Sequence, residues 1–230
     1  MSDIAEIFTP AFWSQYGGLL LDGTIDTFVM VGISTLFAYL IGLPLGVLLI
    51  LTGEHGIRPH KAFHQVLGWI INIGRSLPFI ILMISITGFT RFLVGTYIGV
   101  KGAIVPLVVS AAPFIARMVE TSLAEVDSGV IEAAQSMGAS TFQIVWKVYL
   151  PEAMPSLVLG GSISIITILA YAAIAGSVGA GGLGDLAIRY GYNRKVGSMM
   201  LVTVIMLIAL VQIIQTVFSR ISNKIDKRLK

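Results

Sequence analysis

The sequence predicts an all-α membrane protein with five transmembrane helices, on three observations. Only 12% of the 230 residues are charged and 56% are hydrophobic, whereas a soluble domain carries about 25% charged residues. The missing charge leaves long apolar runs at 27–53, 62–90 (interrupted by Arg75), 153–184 and 196–219. Such runs supply the roughly 20 apolar residues a helix needs to cross a bilayer. Their apolar character is continuous, not alternating as in barrel strands, so helices are the spanning elements.

Composition also excludes several classes. There is no cysteine, so disulfides, thiolate metal sites and cysteine nucleophiles are ruled out. A net charge of +3 with no basic stripe outside the C-terminal tail argues against a nucleic acid partner. The opening MSDIAEIF has acids but no Lys or Arg, unlike the basic start of a secretory signal.

In chain order, residues 1–23 hold Phe8, Phe12, Trp13 and Tyr16 around Pro10. They are expected to form an interfacial segment, because amphipathic rings favour the headgroup level, with a disordered tail as the alternative for residues 1–10. The first span is expected from about Asp26 to Leu51. Its Gly42 and Gly46 would let another helix approach closely, and Pro44 would bend it. A short polar loop with His55, Arg58, His60 and Lys61 follows. The second span is expected from about Phe63 to Phe89. It carries Arg75, an intramembrane charge that either faces a bundle interior or snorkels from a helix end. The third span, about Gly102 to Leu123, ends with Arg117 and Glu120 three residues apart, a pair expected to neutralise itself. The fourth, about Ala153 to Val178, is rich in small and hydroxyl residues, which favour close helix contacts or a mildly polar path. Thr167, Tyr171 and Ile174 fall on one of its faces and are candidates either for a translocation pathway or for subunit packing. The fifth span is expected from about Val196 to Phe218, and residues 219–230 form a basic tail.

The tail carries Arg220, Lys224, Lys227, Arg228 and Lys230, while the first 26 residues have no Lys or Arg. The positive-inside bias therefore places the C-terminus in the cytoplasm and, with five spans, the N-terminus outside.

One segment is amphipathic where its neighbours are uniformly apolar: about 127–151. Asp127 or Ser128 is placed to cap a short helix, and Glu132 lies near its positive end. Gly138 suits a left-handed stop. Ser140 and Gln143 form a capping box that opens a second helix. That helix would gather Phe142, Val145, Trp146, Val148 and Tyr149 on one broad apolar face. Pro151 is expected to end it. A partner or a membrane surface would have to cover the aromatic residues.

The pattern E-A-A-x-x-x-G, nine residues, an aliphatic residue, then x-L-P reads here as Glu132, Ala133, Ala134, Gly138, Val148, Leu150 and Pro151. It resembles the signature loop of permease subunits in bacterial ABC importers of the type I, binding-protein-dependent class. RSLPFIIL, AAPFIARMVE and GAGGLGDLAIRYGY look like the methionine-import branch, and the resemblance covers roughly residues 24–218. It implies a five-helix permease in the bacterial plasma (inner) membrane that pairs with a second copy of itself. Two ABC ATPase subunits would sit beneath, each taking the loop's helix in a cleft, and an extracytoplasmic binding protein would deliver methionine. No cofactor would be bound, and ATP would be used by the partner subunit. A permease for another small amino acid or an osmolyte, or a membrane scaffold that transports nothing, are the alternatives.

Two patterns are set aside. Gly179–Gly184 matches G-x-G-x-x-G, but the dinucleotide fingerprint needs a preceding strand and an apolar span stands there, so a flexible loop or a close helix contact is expected. His55, His60 and His64 lack a carboxylate-rich pattern beside them, so no metal site is expected. No Walker-type phosphate loop occurs in the sequence. The spans hold serines but no histidine or acid deep inside, which argues against an intramembrane enzyme.

Overall fold

In the computed structural model, residues 2–225 are described, with side chains from Ala5 onward. The chain is helical along nearly its whole described length. In order, the helices are α1 (Ser2–Ile7), α2 (Pro10–Thr52), α3 (Lys61–Ser76), α4 (Phe79–Ser85), α5 (Thr87–Val94) and α6 (Gly99–Ala124). There follow α7 (Ser128–Ser136), α8 (Thr141–Ile144), α9 (Leu150–Glu152), α10 (Met154–Gly176), α11 (Gly182–Leu186) and α12 (Gly197–Ile225). π-helical turns at Val145–Tyr149 and Ala187–Asn193 join α8 to α9 and extend α11. Lys227, Arg228 and Lys230 of the basic tail lie outside the described residues.

Among the described residues, four helices, α2, α6, α10 and α12, are long and apolar enough to cross a membrane, and there is a fifth span if the bent pair α3–α4 counts as one. The second span is thus not the continuous helix expected from Phe63 to Phe89. It breaks by 100° between Ser76 and Phe79. The cause is Pro78, which forces Leu77 into an extended conformation (φ −81°, ψ 124°) and stops α3. Pro78 then sits at the N-cap of α4. The break leaves Arg75 in the last turn of α3, where the negative end of the helix dipole favours a cation.

The start of the first span also differs. Helix α2 begins at Pro10, with no break at the expected boundary near residue 23. Thr9 Oγ1 accepts a hydrogen bond from the Phe12 amide, and proline is favoured in the first helical position. The N-terminal aromatics divide: Phe12 and Tyr16 are buried, while Phe8 and Trp13 are exposed.

The helices gather into two compact units. The first contains the residues up to Leu36, Pro78–Val109 and Ile165–Ile214. Its core joins Phe12, Tyr16 and Leu20 of α2 to Leu183 and Leu186 of α11 and to Met199 and Val202 of α12. Thr27 Oγ1 accepts from the Leu183 amide at 2.9 Å and donates to the Gly23 carbonyl at 2.8 Å. The glycine-dense segment is a close helix contact: a Cβ on Gly184 would collide with the Ala173 carbonyl oxygen. Asp185, buried, pairs with Arg189, and Arg194 lies 4.5 Å over the Tyr190 ring.

The second unit contains Phe37–Leu77, Ser110–Ser164 and the residues from Gln215 onward. Here the Gly42/Gly46 expectation holds. A Cβ on Gly42 would stand 2.8 Å from the Ala112 carbonyl oxygen, and one on Gly46 2.5 Å from that of Ala116. Only glycine lets α2 and α6 approach this closely. Leu49, Ile71 and Ala116 form a buried cluster beside that contact. Arg117 and Glu120 pair at 2.6 Å as expected, and Arg117 also donates to Asn72 Oδ1 at 3.0 Å.

Candidate functional site

The segment from Asp127 to Pro151 lies wholly in the second unit, and its first half folds as its sequence dictates. Asp127 accepts from the Gly129 amide and caps α7. Glu132 and Ala133 are exposed and Ala134 is buried. Gly138 has φ +79°, a conformation a side chain would strain. Its amide bonds the Gln135 carbonyl and the Ala139 amide bonds that of Ala134, which together make a Schellman stop. Both halves of the Ser140–Gln143 capping box are made.

The second half departs from expectation in two ways. The helical path that α8 opens does not end at Leu150. It widens into the π turn Val145–Tyr149, with the Leu150 amide bonding the Val145 carbonyl, and continues through Pro151 to Glu152. A wide turn just before a proline takes up the clash and the missing donor that a proline brings to a helix. The expected single apolar face also splits. Val145 and Tyr149 turn inward with Ile144 and are buried, Val148 is half-buried, and Phe142 and Trp146 face outward at 70% and 58% exposure. Their rings lie 6.0 Å apart. Met137, 81% exposed, adds to the outward apolar residues of the segment. Inside, burial pushes the Tyr149 phenol up from its ordinary range.

Two anchors of this segment were not visible in the sequence. Arg58, in the loop after α2, donates through Nε to Thr141 Oγ1 at 3.1 Å, across 83 residues of chain. Tyr149 lines a cavity of about 350 Å³ together with Leu49, His64, Glu120 and Ile131. His64 is occupied, its Nδ1 lying 3.1 Å from the Leu49 carbonyl, and His60 caps α3 by accepting from the Phe63 amide. No cluster with metal-ligand composition occurs among the described residues.

The remaining candidates lie elsewhere. Leu150 is half-buried and Pro151 exposed at the C-terminal end of the segment. Thr167, Tyr171 and Ile174 lie on α10 in the first unit. Tyr171 stacks on Phe79 with centroids 4.7 Å apart and planes 2° from parallel; Ile174 is exposed and Thr167 half-buried. Arg75 is exposed in the second unit.

Comparison with known proteins accords with this geometry. A probable D-methionine transport system permease protein, MetI, of Vibrio cholerae is 48% identical over 210 residues, 91% of this chain and 93% of the relative. The methionine import system permease protein MetP of Bacillus subtilis is 46% identical over 181 residues, 79% of this chain and 82% of the relative. A chain of the MetNI methionine ABC transporter, solved in inward-facing conformations, superposes with a TM-score of 0.91 at 45% identity, covering 93% of this chain and 99% of that one. An amino acid ABC transporter solved with histidines shares the fold alone, at a TM-score of 0.75 and 19% identity. The family model described as binding-protein-dependent transport system inner membrane component matches residues 40–230. With most of its length inside that match, the chain belongs to the binding-protein-dependent transport system inner membrane components and is a multi-pass permease subunit of an ABC importer.

Proposed function

We propose that this chain is the membrane-spanning subunit of an ATP-driven methionine importer that works by alternating access as a dimer with a second copy of itself. The observation that carries the reading is the outward Phe142–Trp146 pair on a doubly capped loop, in a chain 48% identical to a D-methionine permease. Exposed aromatics on a rigid helix are what a partner's cleft would bury. The partner is an ABC ATPase, one beneath each permease. It supplies the ATP hydrolysis, and this chain binds no cofactor.

Residues 24–218 form the transmembrane domain, with 1–23 at the interface and 219–230 as a basic cytoplasmic tail. Within the domain, Glu132, Ala133, Ala134, Gly138, Leu150 and Pro151 set the coupling loop. ATP closing the two ATPases drives these loops together, and the helix bundles rock about the path. Thr167, Tyr171 and Ile174 line that path, and a binding protein delivers the amino acid from outside. A C-terminus in the cytoplasm orients the loop toward the ATPase.

The deciding experiment is uptake of labelled methionine into vesicles holding the permease, the ATPase and the binding protein. ATP-dependent uptake that excess unlabelled methionine suppresses, and that an osmolyte does not, is the expected result. Uptake of neither methionine nor any other amino acid overturns the reading. A protease-sensitive tag after Lys230 should be cut only from the cytoplasmic side, and cleavage from outside would reverse the orientation.

A further inference from the structure

Arg75 lines an open cleft of about 350 Å³ in the second unit, at the small end of ligand pockets, roughly 300–1,000 Å³. Its wall combines apolar surface from Phe114 and Leu159 with the hydroxyls of Ser122 and Ser156. Two further charges reach it, from Arg117 and Glu125. The Arg117 guanidinium is already engaged by Glu120 at 2.6 Å and by Asn72 at 3.0 Å. Neither Arg75 nor Glu125 has a hydrogen-bond or ion-pair partner among the described residues. The cleft thus offers one open guanidinium and one open carboxylate beside apolar surface.

That combination selects a ligand. A simple anion would meet Glu125 and a simple cation would meet two arginines, whereas a zwitterion presents one charge to each. A guanidinium fork matches a carboxylate in two parallel hydrogen bonds, and the apolar wall suits an uncharged side chain. We infer that the cleft is a transit site for a zwitterionic α-amino acid, with Arg75 holding its carboxylate and Glu125 its ammonium group. The inference rests on the importer reading and adds the residues that touch the cargo. Only Val126 separates Glu125 from Asp127, the cap of α7. Movement of the coupling loop therefore shifts Glu125 against Arg75 and releases the ligand.

The test is equilibrium dialysis of labelled L-methionine against the purified permease–ATPase complex, without nucleotide or binding protein. Saturable binding is expected, weakened about tenfold or more in Arg75→Gln and in Glu125→Gln, and largely retained in Arg75→Lys. On the wild-type complex, 3-(methylthio)propylamine, which lacks the carboxylate, should compete poorly. Its affinity should not fall in Arg75→Gln, because the variant removes a repelling charge and no contact the amine makes. Undiminished binding by both glutamine variants, or an amine that competes as well as methionine, overturns the site. If a variant does not assemble, the amine comparison on the wild-type complex still decides. Vesicle uptake of methionine with no binding to the complex would sink the site and leave the importer reading intact. Arg75-dependent binding of other amino acids without methionine uptake would keep the site and change the cargo.

Discussion

The loop at 127–151 and the segment at 176–191 are both glycine-punctuated connections next to apolar helices, yet they fold to opposite ends. In the loop, Gly138 stands at φ +79° with nothing within 4 Å of the place a Cβ would take, and Phe142 and Trp146 turn outward. In the segment, glycines are the points of contact. A Cβ on Gly184 would strike Ala173, one on Gly176 would strike the Asp185 amide nitrogen, and Leu183, Gly184, Asp185 and Leu186 are all buried. The same residue serves a turn in one case and helix packing in the other. What separates them is the neighbouring side chains: large aromatics beside Gly138, small and aliphatic residues around Gly184.

The sharpest way to break that contrast is a side chain at each glycine. Gly184→Val pushes atoms into the α10 backbone, which has no rotamer to give, so destabilisation at or above the usual 1–3 kcal/mol of overpacking, taken as about 3 kcal/mol, is expected. The readout is the yield of monodisperse protein in detergent, and near-normal yield and melting would show that the contact gives way. Trp146→Ala comes next. Its exposed ring leaves permease stability within about 0.5 kcal/mol, but ATPase binding should weaken by about 2 kcal/mol, roughly thirtyfold. Unchanged affinity in a titration of ATPase onto detergent-solubilised permease would remove the ring from the interface. Gly138→Leu has open space but a left-handed backbone, a strain of about 1–2 kcal/mol. It should leave the protein folded, uncouple ATP hydrolysis from methionine uptake, and lower the melting temperature less than Gly184→Val.

These two regions also mark where the sequence was readable. The Asp127 cap, the Gly138 stop and the Ser140–Gln143 box depend on neighbours within five residues, and each is present in the structure. The direction of Trp146 was not readable, because Phe142 and Trp146 share one side at the edge of a broad apolar face and only packing against the rest of the unit decides that Val145 and Tyr149 are the ones buried. The break at Leu77 was half readable. Pro78 stood in view, but a long apolar run around it reads as one span when length is weighed above the backbone limit that proline sets on its predecessor. The packing role of Gly184 was half readable: a close helix contact was one of the two expectations for the glycine-dense segment, but that α10 is the helix met requires the tertiary structure. Gly42 and Gly46 were readable because their four-residue spacing lies on one helix face.

The smallest effect expected comes from the contact that ties the readable loop to the rest of its unit. Arg58 Nε bonds Thr141 Oγ1 at 3.1 Å, at the first residue of α8. The pair is exposed, so its removal by Arg58→Ala should lower stability by only about 0.5–1 kcal/mol. Its position matters more than its strength. The capping box fixes α8 internally, and Arg58 joins that helix to the loop between α2 and α3. If the loop transmits force as a rigid body, loosening this joint should reduce uptake per ATP hydrolysed while leaving ATPase binding unchanged, the reverse of Trp146→Ala. Thr141→Val should reproduce the effect, and the double variant should be no worse than either single one, since both delete the same bond. Additive losses in the uptake-to-hydrolysis ratio would show that Arg58 acts through something other than Thr141.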